Sequence, residues 1–138
     1  MTPDFEQLCV QALLADTDVI AIVGQRVGTR TPRDLSDPWV TVRLIDDLPD
    51  PKSSALHLTS ALVQIDCYAG STRNGAQAQA SYLARLCRTV LHQLAYQPQA
   101  TGPVVSKVKP GSIRPMPDET FEPARERYIV ELEVTAHG

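Results

Sequence analysis

Proline placement is the feature that most limits how this chain can fold. Of eleven prolines, all but Pro3 lie outside the segments with regular apolar patterns, at positions 32, 38, 49, 51, 98, 103, 110, 115, 117 and 123. Because proline has no amide hydrogen and disrupts helix and ladder interiors, these positions predict loops and strand edges. Pro3 follows Thr2, and this pair predicts the N-cap and first turn of a helix.

Three segments between the prolines have helical features. An apolar stripe runs from Phe5 to Leu13 at helical spacing. Residues 16–18 offer the N-cap of a short second helix, with Gly24 as its C-cap. Residues 70–72 are predicted to turn the chain and to cap the longest helix, which runs to about Leu94.

The remaining patterned segments alternate as strands do. We predict strands over residues 39–45, 58–68, 104–108 and 127–135, with a brief additional strand at 26–28. Consecutive strands favour hairpins. Residues 58–68 have one apolar and one mixed face, which predicts an antiparallel sheet with one face exposed to water. The predicted fold is therefore α+β, with a small, mostly antiparallel sheet of four to five strands. One long helix and one or two shorter helices pack on one face.

Two long polar connections, residues 46–57 and 109–123, are predicted to be irregular. Connections of this length within a compact domain are often functional. The first connection contains a cluster of aspartates. A calcium-binding loop needs alternating ligands and a central glycine, whereas this segment has prolines, so a solvated loop is the simpler interpretation. Met116 and Phe121 in the second either pack into the core or become buried on assembly, and Trp39 raises the same alternative. The candidate interface residues are Trp39, Asp46, Asp47, Asp50, Lys52, Arg114, Met116 and Phe121.

No catalytic, cofactor or metal site is predicted. The histidines at 57, 92 and 137 lack metal-ligand spacing with one another or with cysteine. Cys9, Cys67 and Cys87 include no Cys-x-x-Cys pair and fall on apolar positions, so we predict buried, reduced thiols. The chain is therefore not predicted to be an enzyme.

Size and charge bear on the number of domains and on the possible binding partners. A chain of 138 residues has the usual length of one domain, so we predict a single domain over residues 1–138. The net charge of −3 offers no basic surface for nucleic-acid phosphates. With no signal sequence and no apolar run of about 20 residues, the prediction is synthesis in the cytoplasm and no contact with a membrane.

The order of these segments resembles the tail-terminator (tail-completion) proteins of long-tailed bacteriophages. The resemblance is carried by residues 12–16, by Val19 with 22–24 and 26–27, by Pro38-Trp39-Val40-Thr41-Val42, and by Val63-Gln64-Ile65-Asp66-Cys67-Tyr68-Ala69 before the long helix. The alternating last strand completes it. Gly28 departs from the pattern, since an aromatic residue often follows the Arg-Val pair there, and the proline-rich stretch 109–123 is longer than expected.

The resemblance implies a structural virion protein: a homohexameric ring that caps the tail tube and binds the tube protein and the head–tail connector or stopper. DNA would pass through this ring without sequence-specific binding. The implied location is the head-proximal end of the tail, after assembly in the host cytoplasm. Heterologous contacts can close into such a ring, and the last strand, as an exposed sheet edge, and the two long connections are the expected contact regions.

Three alternatives remain from the sequence. Another neck component, a head-completion or stopper protein, would also be a small ring subunit. A small cytosolic ligand-binding domain or hydrolase would need a pocket with convergent polar groups, which the sequence does not suggest. A nucleic-acid-binding domain is disfavoured by the acidic balance and by an aromatic content of 5%.

Overall fold

The structure is a computed structural model that describes residues 4–33, 36–48, 58–70, 75–96, 104–121 and 124–137. Its helices are α1 (Phe5–Leu14), α2 (Thr17–Val23) and α3 (Ala76–His92), and α3 continues as a short 3-10 helix, Gln93–Tyr96. Its strands are β1 (Val27–Gly28), β2 (Trp39–Leu48), β3 (Leu58–Tyr68), β4 (Val104–Pro115) and β5 (Arg127–His137).

The five strands form one mixed sheet in the order β1-β2-β3-β5-β4. Only the short β1 runs parallel to its neighbour, and every other pair is antiparallel. The predicted α+β class and the mostly antiparallel sheet are therefore confirmed. The prediction that the last strand is a sheet edge is wrong, because β5 lies between β3 and β4.

One face of the sheet packs against the helices and forms the core. Alternate residues of the strands, such as Val63 and Ile65 of β3, are fully buried against Leu13 of α1 and Leu83 of α3. The three cysteines belong to the same core, as predicted, and none is exposed. Burial of this apolar face is the main contribution to the stability of the fold.

Capping residues set the helix boundaries, and two of the predicted caps are wrong. Asp4, not Thr2, caps α1, because its carboxylate accepts a hydrogen bond from the Gln7 amide at 3.0 Å. Gly75, rather than a residue in 70–72, is the N-cap of α3, at a φ of 91° that favours glycine. The predicted caps of α2 are confirmed: Asp16 accepts from the Val19 amide, and Gly24 ends the helix at a φ of 58°.

Two strands extend into connections that were predicted to be irregular. β2 continues to Leu48, and β4 continues to Pro115. Each extension contains a shift of register, between Leu44 and Asp46 in β2 and between Pro110 and Ile113 in β4. A shift of this kind inserts residues without ending the pairing.

Gly111 shows how the β4 shift is accommodated. A Cβ atom at this position would lie 2.5 Å from the carbonyl oxygen of Glu131. Only a residue without a side chain allows this close approach of the two strands. The glycine therefore lets β4 remain beside β5 beyond Pro110.

Candidate assembly surfaces

No described helix covers the second face of the sheet, here called the outer face, which carries the residues that alternate with the core set. The segment that joins β4 to β5 crosses one end of this face. Its Asp118 and Arg125 form an isolated backbone bridge, and Arg125 also donates to the carbonyl of Gly70 at 2.7 Å. We call residues 116–121 the strap. The prediction of a sheet wet on one side therefore holds only for the end that the strap leaves open.

A charged network holds the strap against the sheet. The Asp66 carboxylate on β3 lies 3.1 Å from the Arg43 guanidinium and 3.9 Å from that of Arg127. Arg127 is also 3.7 Å from the Asp118 carboxylate of the strap, and its Nε donates to the Met116 carbonyl at 2.8 Å. The Asp66 side chain is only 3% exposed, so its charge depends on these partners.

Hydrogen bonds complete the network. The Tyr68 hydroxyl donates to Asp118 at 2.9 Å, and the Thr120 hydroxyl donates to the same carboxylate at 2.6 Å. Burial, together with the bond to Asp118, raises the pKa of Tyr68 to about 12. Burial alone would raise the pKa of Asp118, but the bonds from Thr120 and Tyr68 and the nearby Arg127 lower it overall. The network therefore favours an ionised Asp118 and a neutral Tyr68.

An aromatic cluster lies beside the charges. The rings of Trp39 and Tyr68, which are directly paired across β2 and β3, stack with centroids 4.4 Å apart. Phe121 of the strap meets both rings edge-on, at 6.0 Å and 6.1 Å. Trp39 is completely buried, and its indole Nε1 has no hydrogen-bond partner among the described residues. Packing therefore holds Trp39 in place.

This end of the outer face contains a polar cavity of about 190 Å³, lined by Thr29, Thr31, Thr41, Arg43, Asp66, Tyr68, Asp118 and Arg127. Each of its two carboxylates is already paired with arginine, and its tyrosine is held in the neutral form. Such a set neutralises itself, and it offers neither a general base nor an activated nucleophile.

Within the described ranges, no group of three histidine, cysteine or acidic residues could hold a metal ion. None of the described helices is both long and apolar enough to cross a membrane.

The other end of the outer face differs in its charges. Asp46 on β2, and Lys107 and Lys109 on β4, are exposed, and none of the three forms an ion pair with a residue that the structure describes. Nearby, Leu44 and Ile45 of β2 are 42% and 46% exposed, and Val104 of β4 is 47% exposed. Charged and apolar side chains on both edge strands are therefore free for contact.

The structure separates the predicted interface residues into four groups. Trp39 and Phe121 pack together, so the packing alternative holds for both residues. Asp46 and Asp47 lie in β2 and Arg114 in β4, not in irregular connections as predicted. Arg114 forms an ion pair with Glu131 at 3.4 Å. Met116 is 41% exposed, whereas Asp50 and Lys52 lie outside the described residues.

The network around Asp66 was not predicted from the sequence. One signal was available, because Gln64 and Asp66 are polar residues within the mostly apolar run 61–68, on the face described as mixed. Its partners gave no signal, since Arg43, Asp118 and Arg127 lie far from Asp66 in the chain. Nothing in the local sequence pattern indicated that the strap supplies part of this network.

Comparisons with known proteins identify the family. The sequence profile of the family described as tail completion protein gp17 matches residues 8–125, which extend from α1 to the Asp118–Arg125 bridge. No curated protein matches the chain at a significant level. Because the profile covers most of the chain, the protein belongs to the tail completion protein gp17 family and is a structural component of the phage tail.

Proposed function

We propose that the protein is a tail terminator: a homohexameric ring that caps the tail tube at its head-proximal end and joins it to the head connector. Membership of a tail completion family supports the role in the tail. The observation that carries the ring is the pair of sheet edges, β4 on one side and the end of β2 on the other. Two different surfaces on one subunit are what a closed heterologous ring requires.

The proposed ring acts through binding and not through catalysis. Its charged network is internally paired, so the contacts that matter lie at the edges and axial surfaces. DNA passes through the ring without sequence-specific contacts, and the net charge of −3 provides no excess of cations to retain it. The chain is a component of the virion after assembly in the host cytoplasm.

Electron microscopy tests this proposal. Tails assembled with a tagged copy of the chain should show it only at the head-proximal end, as a ring of six subunits. Tails assembled without it should fail to join heads. Label along the tube, at the distal tip or with another symmetry would contradict the proposal.

A binding assay separates the terminator from the stopper. The purified chain should bind the ends of isolated tail tubes and not DNA-filled heads that lack tails. The reverse preference would identify it as a head-completion or stopper protein.

A further inference from the structure

The two edge strands carry opposite charges. β4 contains Lys107, Lys109 and Arg114 and no acidic residue. Residues 44–48 at the end of β2 contain two aspartates and no basic residue. Beyond the pairing of β1 with Val40 and Thr41, the described residues place no strand beside this part of β2.

The sheet register aligns the two edges. Asp46 pairs with Leu62, Leu62 with Glu133, and Glu133 with Lys109. Residues paired in this way form one row across the sheet and share one face. Asp46 and Lys109 therefore lie at opposite ends of the same row on the outer face, separated by three strand spacings, or roughly 14 Å.

Strand direction permits a second copy to continue the sheet. Three antiparallel steps lead from β2 to β4, so these two strands run in opposite directions. A copy placed beside the first in the same orientation would bring its β4 antiparallel to β2. Its Lys109 would then lie level with Asp46.

The backbone opposes a continuous ladder across this contact. β4 contains Pro110, Pro115 and two shifts of register, which blunt an edge strand against pairing. On β2, the outward amide of Leu44 already donates to the Glu6 carboxylate of α1 at 2.9 Å. Side chains must therefore carry the contact, and both edges expose them: Leu44 and Ile45 on one, Val104 on the other.

We propose that copies of this chain join edge to edge, with Asp46 of one copy against Lys109 and Lys107 of the next. The proposal rests on the ring proposed above and assigns its lateral contact. Because the two surfaces differ, the contact repeats around an axis and closes when the rotation per subunit fits. Charge complementarity sets the register of neighbours, and the exposed apolar side chains add buried area.

Carbodiimide coupling, which joins a carboxylate directly to an amine, tests the contact with the unmodified chain. A mixture of unlabelled and isotope-labelled protein should yield Asp46–Lys109 or Asp46–Lys107 cross-links of mixed isotope content. The distance across the sheet excludes this bond within one copy. Asp46→Asn should reduce the yield of covalent dimer roughly fivefold or more, because the pair is lost. Asp18→Asn, an exposed site on α2 with the same change of charge, should not.

Charge exchange provides a second measurement. Asp46→Lys and Lys109→Asp should each weaken association in sedimentation, and the double variant should restore it, because the pair is re-formed with reversed charge. Both sites are exposed, so circular dichroism should show unchanged folding. Dimers undiminished in Asp46→Asn, or no restoration in the double variant, would overturn the proposal. A head-proximal ring with other lateral contacts would overturn this inference and leave the proposed function standing.

Discussion

The two ends of the outer face use charge in opposite ways. At the end under the strap, Asp66 and Asp118 are both paired with Arg127, and the three side chains are mostly buried. At the open end, Asp46 and Lys109 are exposed and form no ion pair with any described residue. The same sheet therefore carries one set of charges that holds the fold together and another set that is available to a partner.

The cost of desolvation explains this division. A buried charge without a partner destabilises a protein by several kcal/mol, so a buried network has to be complete within the subunit. An exposed charge stays hydrated and contributes little to the stability of the monomer. It can stabilise a complex when a second surface brings an opposite charge close to it. Four predictions test whether this distinction holds.

Breaking the buried network should have the largest effect. Arg127→Met leaves two carboxylates under the strap without their shared cation, and we expect the free energy of unfolding to fall by about 3 kcal/mol. Urea denaturation measures this change. Lys109→Met, which removes a cation from the open end, should change stability by less than about 0.5 kcal/mol. Equal effects of the two substitutions on stability would contradict the proposed difference between the two ends of the outer face.

Removing the aromatic contact of the strap should have the next largest effect. Phe121→Ala opens the cluster over Trp39 and should cost about 2 kcal/mol. Because Trp39 is the only tryptophan, its fluorescence should shift to longer wavelength as water reaches the ring. Met116→Ala, at a half-exposed site of the same strap, should leave the emission unchanged. Unchanged emission in Phe121→Ala would show that the strap does not shield the tryptophan.

Acid should loosen the strap before the core. The pKa of Asp118 is lowered from 3.8 in the folded chain, so its ionisation stabilises the fold above that pH. The contribution is lost as the pH falls through the lowered value. Asp118→Asn should therefore flatten the decline of unfolding free energy in acid, as measured by denaturation at several pH values. An acid profile identical to that of the unmodified chain would contradict this role.

The smallest expected effect concerns the free edge of β2. Glu6→Ala removes the acceptor for the Leu44 amide, and we expect a loss of about 0.5 kcal/mol, because the amide can bind water instead. Hydrogen exchange at Leu44 should become faster. Gln7→Ala, the neighbouring exposed position on α1, should not change this exchange rate. A Leu44 amide that exchanges equally in both variants would show that Glu6 does not protect the edge.

Much of the fold could be predicted because its patterns are local. Alternation identified the strands, and the short second helix was bounded correctly by Asp16 and Gly24. The lengths of β2 and β4 were underestimated because residues 46–57 and 109–123, which are polar or rich in proline, were interpreted as irregular connections. β4 pairs only with β5, so Pro110 and Pro115 can occupy it without breaking a second ladder.

The network under the strap could not be predicted, because it depends on tertiary contacts. Tyr68 and Asp118 are 50 residues apart, and Thr41 and Asp66 are 25 apart. The sequence presented Trp39 and Phe121 as two separate apolar residues, each with two interpretations. Only the folding of the strap onto β2 and β3 shows that each residue covers the other.

The position of the three cysteines affects the protein beyond the cell in which it is made. Cys9, Cys67 and Cys87 are fully enclosed, and burial raises the pKa of Cys9 to about 12 and that of Cys67 well above its usual value. Oxidation and disulfide exchange proceed through accessible thiolates. A virion released into aerated water therefore exposes none of these three thiols. Disulfide exchange between this subunit and its neighbours would require the core to open first.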